Sequence, residues 1–208
     1  LNAVQGLVIC AFVLLYVVFL YWWGGTTRPL SEQETAEGIR QLRAVASGPD
    51  SLAHLDEVQQ LLAQDNGREF VMFNAVRYRS KALYPEPHPP QWGDDPREAD
   101  KRYGKAVIGP LIKRACLPIF IARKTGQFVN DAHAPDWHYV ALVRYRSKRD
   151  FLRFALEIES KSISVHKWAA IEQTHIFPVQ PLISLVFVRL VVGAVWALTG
   201  WVLAGSFA

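Results

Sequence analysis

Two apolar segments of membrane length close this chain at its ends, and they constrain its folding more than anything between them. The first runs from Leu1 to Trp23 without a charged residue, and the second runs from Pro181 to about Ala204 and carries one, Arg189. About 20 apolar residues in a helix cross a bilayer core, so each segment is long enough. Every acidic residue, and every basic one but Arg189, lies between them. The first segment does not read as a cleaved signal. No basic residue precedes its apolar run, and Trp22-Trp23 follow where an interfacial aromatic belt sits. The expectation is two transmembrane helices, residues 1–24 and 181–205, with a charged domain between them.

The second segment carries an internal pattern. Gly193, Ala197, Gly200 and Ala204 recur at spacings of four, three and four, so on a helix they share a face along which another helix can approach closely. Arg189 falls one turn earlier on the same face. It either snorkels to the interface or pairs with a carboxylate or headgroup on a partner. These five are the expected membrane-docking residues. Neither segment contains His, Asp, Glu or Lys, which argues against a proton relay or a haem or chlorin ligated by these helices. Arg28, Lys161 and Lys167 near the segments, with no basic residue in the tails, favour a cytoplasmic domain; the membrane expected is a bacterial inner membrane. Cys10 and Cys116, one in a segment and one in the domain, are not expected to pair.

Between the ends, charge divides the chain in two. Residues 28–65 hold three basic and seven acidic residues in a helical pattern. Ser31 with Glu34 is a capping box opening a helix whose stripe is Ile39, Leu42, Val45 and Ala46. Gly48-Pro49 breaks it, and Asp50 or Ser51 caps a second helix with Leu52, Leu55, Val58, Leu61 and Leu62 inward. This is an amphipathic helical hairpin, expected to lie between membrane and main domain.

From residue 66 to 178 the period changes. The turn Asp65-Asn66-Gly67 leads into a strand from Glu69 to Arg79. A loop with five prolines spans Tyr84 to Pro96. Arg97 to Cys116 reads as a helix with Tyr103, Val107, Leu111 and Ile112 inward and Pro110 kinking it. A short buried strand over Ile119–Ala122 follows, then a strand from Trp137 to Tyr145. Ser147 caps a helix to about Ser160, and His175–Phe177 is the last strand. The order is β-α-β-β-α-β. Val76-Arg-Tyr-Arg-Ser-Lys81 is repeated letter for letter as Val143-Arg-Tyr-Arg-Ser-Lys148, each copy closing a strand, the first and the third. In a split β-α-β arrangement those strands are the equivalent members of two halves.

Residues 65–177 resemble the dimeric α+β barrel superfamily, ferredoxin-like domains that pair sheet to sheet, with the nearest likeness to its bacterial domains of unknown function. The resemblance rests on Asp65-Asn-Gly-Arg-Glu-Phe leading into Asn74, on Arg102-Tyr103-Gly104, on Trp137 and the stretch Leu142 to Asp150, and on His166-Lys-Trp-Ala-Ala-Ile-Glu172. It implies an α+β fold and, if the domain is an enzyme, a cavity between sheet and helices. Asn74, Tyr103, His138, Arg144 and His166 are the residues that would line it.

Asn74 is a polar residue in the apolar alternation of Phe70, Met72, Val76 and Tyr78. Its amide either serves such a site or ties down a neighbouring loop. His133 and His138 flank Asp136, but the spacing matches no strong metal signature, and the histidines read as structural. No metal or cofactor is expected. Arg77/Arg79/Lys81 and Arg144/Arg146/Lys148/Arg149 read by default as solvated charge, and if they bind anything they suit anionic headgroups or an acidic partner better than nucleic acid. The function expected is a non-catalytic accessory or assembly subunit of a larger integral-membrane complex, photosynthetic or respiratory in setting. Its spans dock to other membrane subunits, and its domain caps partners or forms a homodimer through the sheet. The alternative is a tethered oxygenase or isomerase acting on a lipophilic small molecule.

Overall fold

The computed structural model describes residues 28–46, 48–129 and 135–182, with positions 10, 14, 17–19, 21–24, 191, 194, 195, 198, 201, 202 and 205 of the two ends. The chain forms two compact units, Leu1–Gly25 with Pro181–Ala208, and Thr26–Gln180. In the first, the rings of Phe19, Trp22 and Trp23 pack 5.8 to 6.3 Å apart.

Among the described residues no helix is long and apolar enough to cross a membrane. This corrects the expectation of a membrane protein with two transmembrane helices. The inner-membrane location with a cytoplasmic domain, which rested on those helices, falls with it. Apolar composition over about 20 residues is necessary for a span, but a span also needs a helix of that length, and the described residues hold none that is both long and apolar enough. The longest described helix, Pro96–Ile112, has 17 residues and carries six charges in its sequence PREADKRYGKAVIGPLI. Arg189, Gly193, Ala197, Gly200 and Ala204, the expected docking residues, lie outside the described residues.

The second unit opens with a helical hairpin. Helix α1 (Glu32–Val45) starts at the capping box, with Ser31 accepting from the Glu34 amide and the Glu34 carboxylate accepting from the Ser31 amide. The return limb is two short helices, α2 (Pro49–Ala53) and α3 (Leu55–Ala63), divided at His54. Gly48 takes the N-cap position and Pro49 the first turn, so no side chain caps α2.

Next come β1 (Phe70–Tyr78), α4 (Pro96–Ile112), β2 (Leu117–Arg123), β3 (Tyr139–Tyr145), α5 (Lys148–Ser160), α6 (Ser164–Ala170) and β4 (Ile171–Val179). The four strands make one antiparallel sheet in the order β2-β3-β1-β4. The fold is α+β. Strand β2 is an edge, and Phe120 and Ile121 are 47% and 65% exposed, so it is not the buried strand its apolar run suggested. Its neighbour α4 ends earlier than expected, leaving Ile112 48% exposed.

Helices α4 and α5 end alike. Ala115 takes a left-handed φ of 52° while the Cys116 amide donates to Leu111 O; Ser162 takes 51° while the Ile163 amide donates to Ile158 O. Each is a Schellman closure built without glycine. The second opens directly into α6, an element absent from the sequence reading.

Helices α4 and α5 cover one face of the sheet. Phe70, Met72 and Tyr145 from that face pack with Val107, Leu111, Phe154 and Ile158. The hairpin does not lie apart from this domain. Ile39, Leu42, Leu55 and Leu62 form a core with Leu152 on the outer side of α5.

Candidate functional site

Three regions of the second unit hold polar or exposed groups that can carry function: the layer between sheet and helices, the strand-end basic clusters, and the sheet face turned away from the helices. In the first, Asp100 projects inward from α4. Its carboxylate accepts from the Tyr78 hydroxyl at 2.8 Å and the Tyr139 hydroxyl at 3.2 Å. Burial pushes Asp100 up from the usual carboxylate range, against the pull of those two hydroxyls and of Lys167. Both tyrosines are pushed well up, by burial first and then by the Asp100 charge.

Lys167 on α6 sits nearby, half-buried, with its ammonium 4.7 Å from the Trp168 ring centre and 6.0 Å from that of Tyr103. Burial brings it down to about 8, with Asp100 and Glu159 pulling the other way. Burial likewise raises Tyr103.

The five residues expected to line a site do not converge. Asn74 donates its amide to Met72 O at 3.0 Å and Ala141 O at 3.3 Å, so it is tied to backbone across β1 and β3. His138 accepts from the Tyr78 amide through Nδ1 at 3.1 Å and packs on the Tyr78 ring. His166 is bonded through Nδ1 to the Tyr84 hydroxyl at 2.9 Å, with the Trp92 ring 4.7 Å away. Arg102 fastens the same loop by donating to Trp92 O at 2.6 Å and Gln91 O at 3.2 Å. Arg144 donates through Nη1 to Ala115 O at 2.8 Å and pairs with Glu69, far from the histidines in role. Of the five, only Tyr103 and His138 border the Asp100 cluster.

An open depression of about 520 Å³ lies along α1, lined by Gln33, Glu34, Ala36, Glu37 and Arg40, and contains none of them. Among the described residues no three His, Cys, Asp or Glu gather as a metal site. His133 lies outside the described residues.

The sequence reading missed Asp100, Tyr78, Tyr139 and Lys167. A signal was present for the first: Asp100 lies one turn before Tyr103, so the inward stripe of α4 included a carboxylate.

The second basic cluster is consumed internally. Arg144 pairs with Glu69, Arg146 with Asp150 at 2.7 Å, and Arg149 with Glu34 at 2.7 Å, while Lys148 donates to Gln64 O. The Arg149 guanidinium, with the Ser31 amide, holds Glu34 down to about 2. In the first cluster Arg77 pairs with Glu172 at 3.1 Å and Lys81 with Asp94 at 3.2 Å. Six of these seven cations thus have a partner within the chain, and two of them, Lys148 and Arg149, tie the hairpin segment to the sheet domain.

The third region is the sheet face turned away from α4 and α5. Strand alternation and the observed registers put Phe73, Ala75, Phe177, His175, Val140, Leu142, Leu117 and Phe120 there. Phe73 and Phe177 stack with ring centres 4.8 Å apart, and Phe177 and Phe120 are 37% and 47% exposed.

No protein-family model matches the chain, and no curated protein matches it. Among solved structures it is similar to the RPA0582 protein of unknown function from Rhodopseudomonas palustris. That match has a TM-score of 0.53 and 19% identity, over 67% of this chain and 98% of that one. The methylated RPA0582 protein matches with a TM-score of 0.52 and 21% identity, over 67% and 95%. At this identity the likeness extends to the fold: the α+β domain is shared with a bacterial protein of unknown function.

Proposed function

We propose that this protein is a non-catalytic assembly module of the dimeric α+β barrel kind, a ferredoxin-like domain that pairs sheet to sheet with a second copy of itself. The observation that carries this reading is the apolar sheet face bearing the Phe73–Phe177 stack and the exposed Phe120. A two-fold pairing needs a patch that is complementary to itself, and the aromatic stack on β1 and the edge strand β4, with Val140, Leu142 and Leu117 beside it, supports one. Against catalysis stands the dispersal of Asn74, Arg144 and His166 into separate structural contacts.

Size sets the strength expected. Four strands about 4.8 Å apart and about seven residues long present roughly 20 by 23 Å before side-chain relief is counted. That is at the low end for a specific interface, so the dimer is reversible and of roughly micromolar affinity.

Sedimentation equilibrium of the full chain over a concentration series tests it. The wild type passes from monomer to dimer. Phe177→Lys weakens pairing about 100-fold, because the two-fold axis counts the loss of roughly 1.5 kcal/mol of apolar burial twice. Ile108→Lys, on the exposed side of α4, leaves it unchanged. A wild type that stays monomeric throughout, or equal effects of the two substitutions, would overturn the proposal.

A further inference from the structure

The layer between helices and sheet contains an amine whose surroundings suit covalent chemistry. Lys167 has no carboxylate oxygen within ion-pair distance among the described residues; its ammonium lies against the Trp168 and Tyr103 rings. Two acids act on it through their charge, Asp100 and Glu159; Asp100 cannot swing over to it, because two tyrosine hydroxyls hold it, one on each carboxylate oxygen. The packing of α6 on α4 fixes this separation. Beside the amine, the Trp168 indole N–H is buried and has no acceptor, with the His54 ring stacked on Trp168 at 5.2 Å. A buried donor without an acceptor costs free energy that a ligand oxygen would recover. An amine held against aromatic rings, without a carboxylate bound to it, is the kind of nucleophile that adds to a carbonyl carbon.

We infer that Lys167 is a carbonyl-capturing site that forms an imine with small aldehydes. The Nζ lone pair adds to the carbonyl carbon, forming the C–N bond while the carbonyl π pair moves to oxygen. That oxygen then leaves as water with the two N–H hydrogens as the C=N bond forms. One amine and one aldehyde give one imine and one water, with no change of oxidation state. The lowered position of Lys167, about 8, makes the free amine far more abundant at neutral pH than in an ordinary lysine. This activity is separate from pairing through the opposite sheet face.

The test treats the folded full chain with acetaldehyde and cyanoborohydride at neutral pH and follows ethylation residue by residue by mass spectrometry. Lys167 is expected to react about tenfold or more faster than Lys101 and Lys105, exposed lysines on α4 with ordinary hydration. Asp100→Asn removes a negative charge that favours the ammonium, so the pH midpoint of Lys167 labelling moves down while those of Lys101 and Lys105 stay in place. Lys167 reacting no faster than Lys101 and Lys105 overturns the inference in the wild type alone, independent of how any variant folds. An unmoved midpoint in a folded Asp100→Asn protein also overturns it.

Discussion

The seam between the hairpin and α5 gives a prediction whose size follows from two atoms. Gly38 lies in the middle of α1, and a methyl group built there would meet Leu152 Cδ2 at 2.4 Å and Cδ1 at 3.0 Å. Leu152 is 6% exposed and packs among Ile39, Leu42, Leu55 and Leu62. Truncating it by Leu152→Ala removes nearly a full leucine from a closed core, which costs about 2–5 kcal/mol. Gly38→Ala alone gains about 1 kcal/mol of helix propensity and loses about 1–3 to overpacking, so it is neutral or mildly destabilising. In the double variant the clash is gone and the new methyl enters the space Leu152 vacated. The propensity gain then survives and the cavity shrinks, and the double variant is more stable than the sum of the singles by about 1–2 kcal/mol. Urea unfolding of the four proteins, read by circular dichroism with fixed m, measures the cycle. Additivity within about 0.3 kcal/mol would refute the packing of Gly38 on Leu152, and with it the hairpin as part of the domain.

Three further outcomes follow from charged groups. Lys161 and then Arg114 hold Glu157 down to about 2 from 4.5. A shift of that size corresponds to about 3 kcal/mol, and about 1–2 after screening at a partly exposed site. That stability is present above pH 4.5 and lost as pH falls toward 2, so Glu157→Gln lowers the melting temperature at pH 7 but not at pH 2. The His166 imidazole, bonded to Tyr84, is pushed below 6.5 by burial and by Arg102. Its neutral form therefore stabilises the fold above pH 6.5, and the contribution falls away below it; His166→Asn flattens that limb in pH-dependent melts followed by tryptophan fluorescence. Arg149→Met removes the contact holding Glu34 low, so the hairpin amides of α1 exchange hydrogen faster at pH 7 while the β1 amides do not; equal change in both would contradict a local clamp.

How far the sequence reached depended on whether a feature was set by neighbours along the chain or across space. Ser31 and Ser147 open helices as their spacing to Glu34 and Asp150 indicates, because capping is settled within one turn. The repeated Val-Arg-Tyr-Arg-Ser-Lys copies close β1 and β3, which pair antiparallel. Beyond the strands the copies part: Ser147 caps α5, whereas Ser80 runs into the proline loop. Helix ends were harder, since Ala115 and Ser162 take left-handed conformations where glycine is the usual sign. The partners of the second basic cluster could not be read along the chain, because Glu34, Gln64 and Glu69 lie 75 to 115 residues away in sequence. Asn74 stood out correctly as a polar residue in an apolar row, yet its partners are backbone carbonyls, which no side-chain pattern records. The apolar ends misled for a different reason: hydropathy counts residues, and among the described residues no helix is long and apolar enough to cross a membrane.

Pairing through the sheet face is tested most directly by hydroxyl-radical footprinting of the full-length wild-type chain, below and above the concentration at which it associates. Oxidation of Phe73, Phe120 and Phe177 should fall together as the dimer forms. Phe128, fully exposed, and Ile108 and Ile112 on α4 should hold constant. Protection of the α4 residues with the sheet phenylalanines unchanged would place the interface on the helical side and contradict the account.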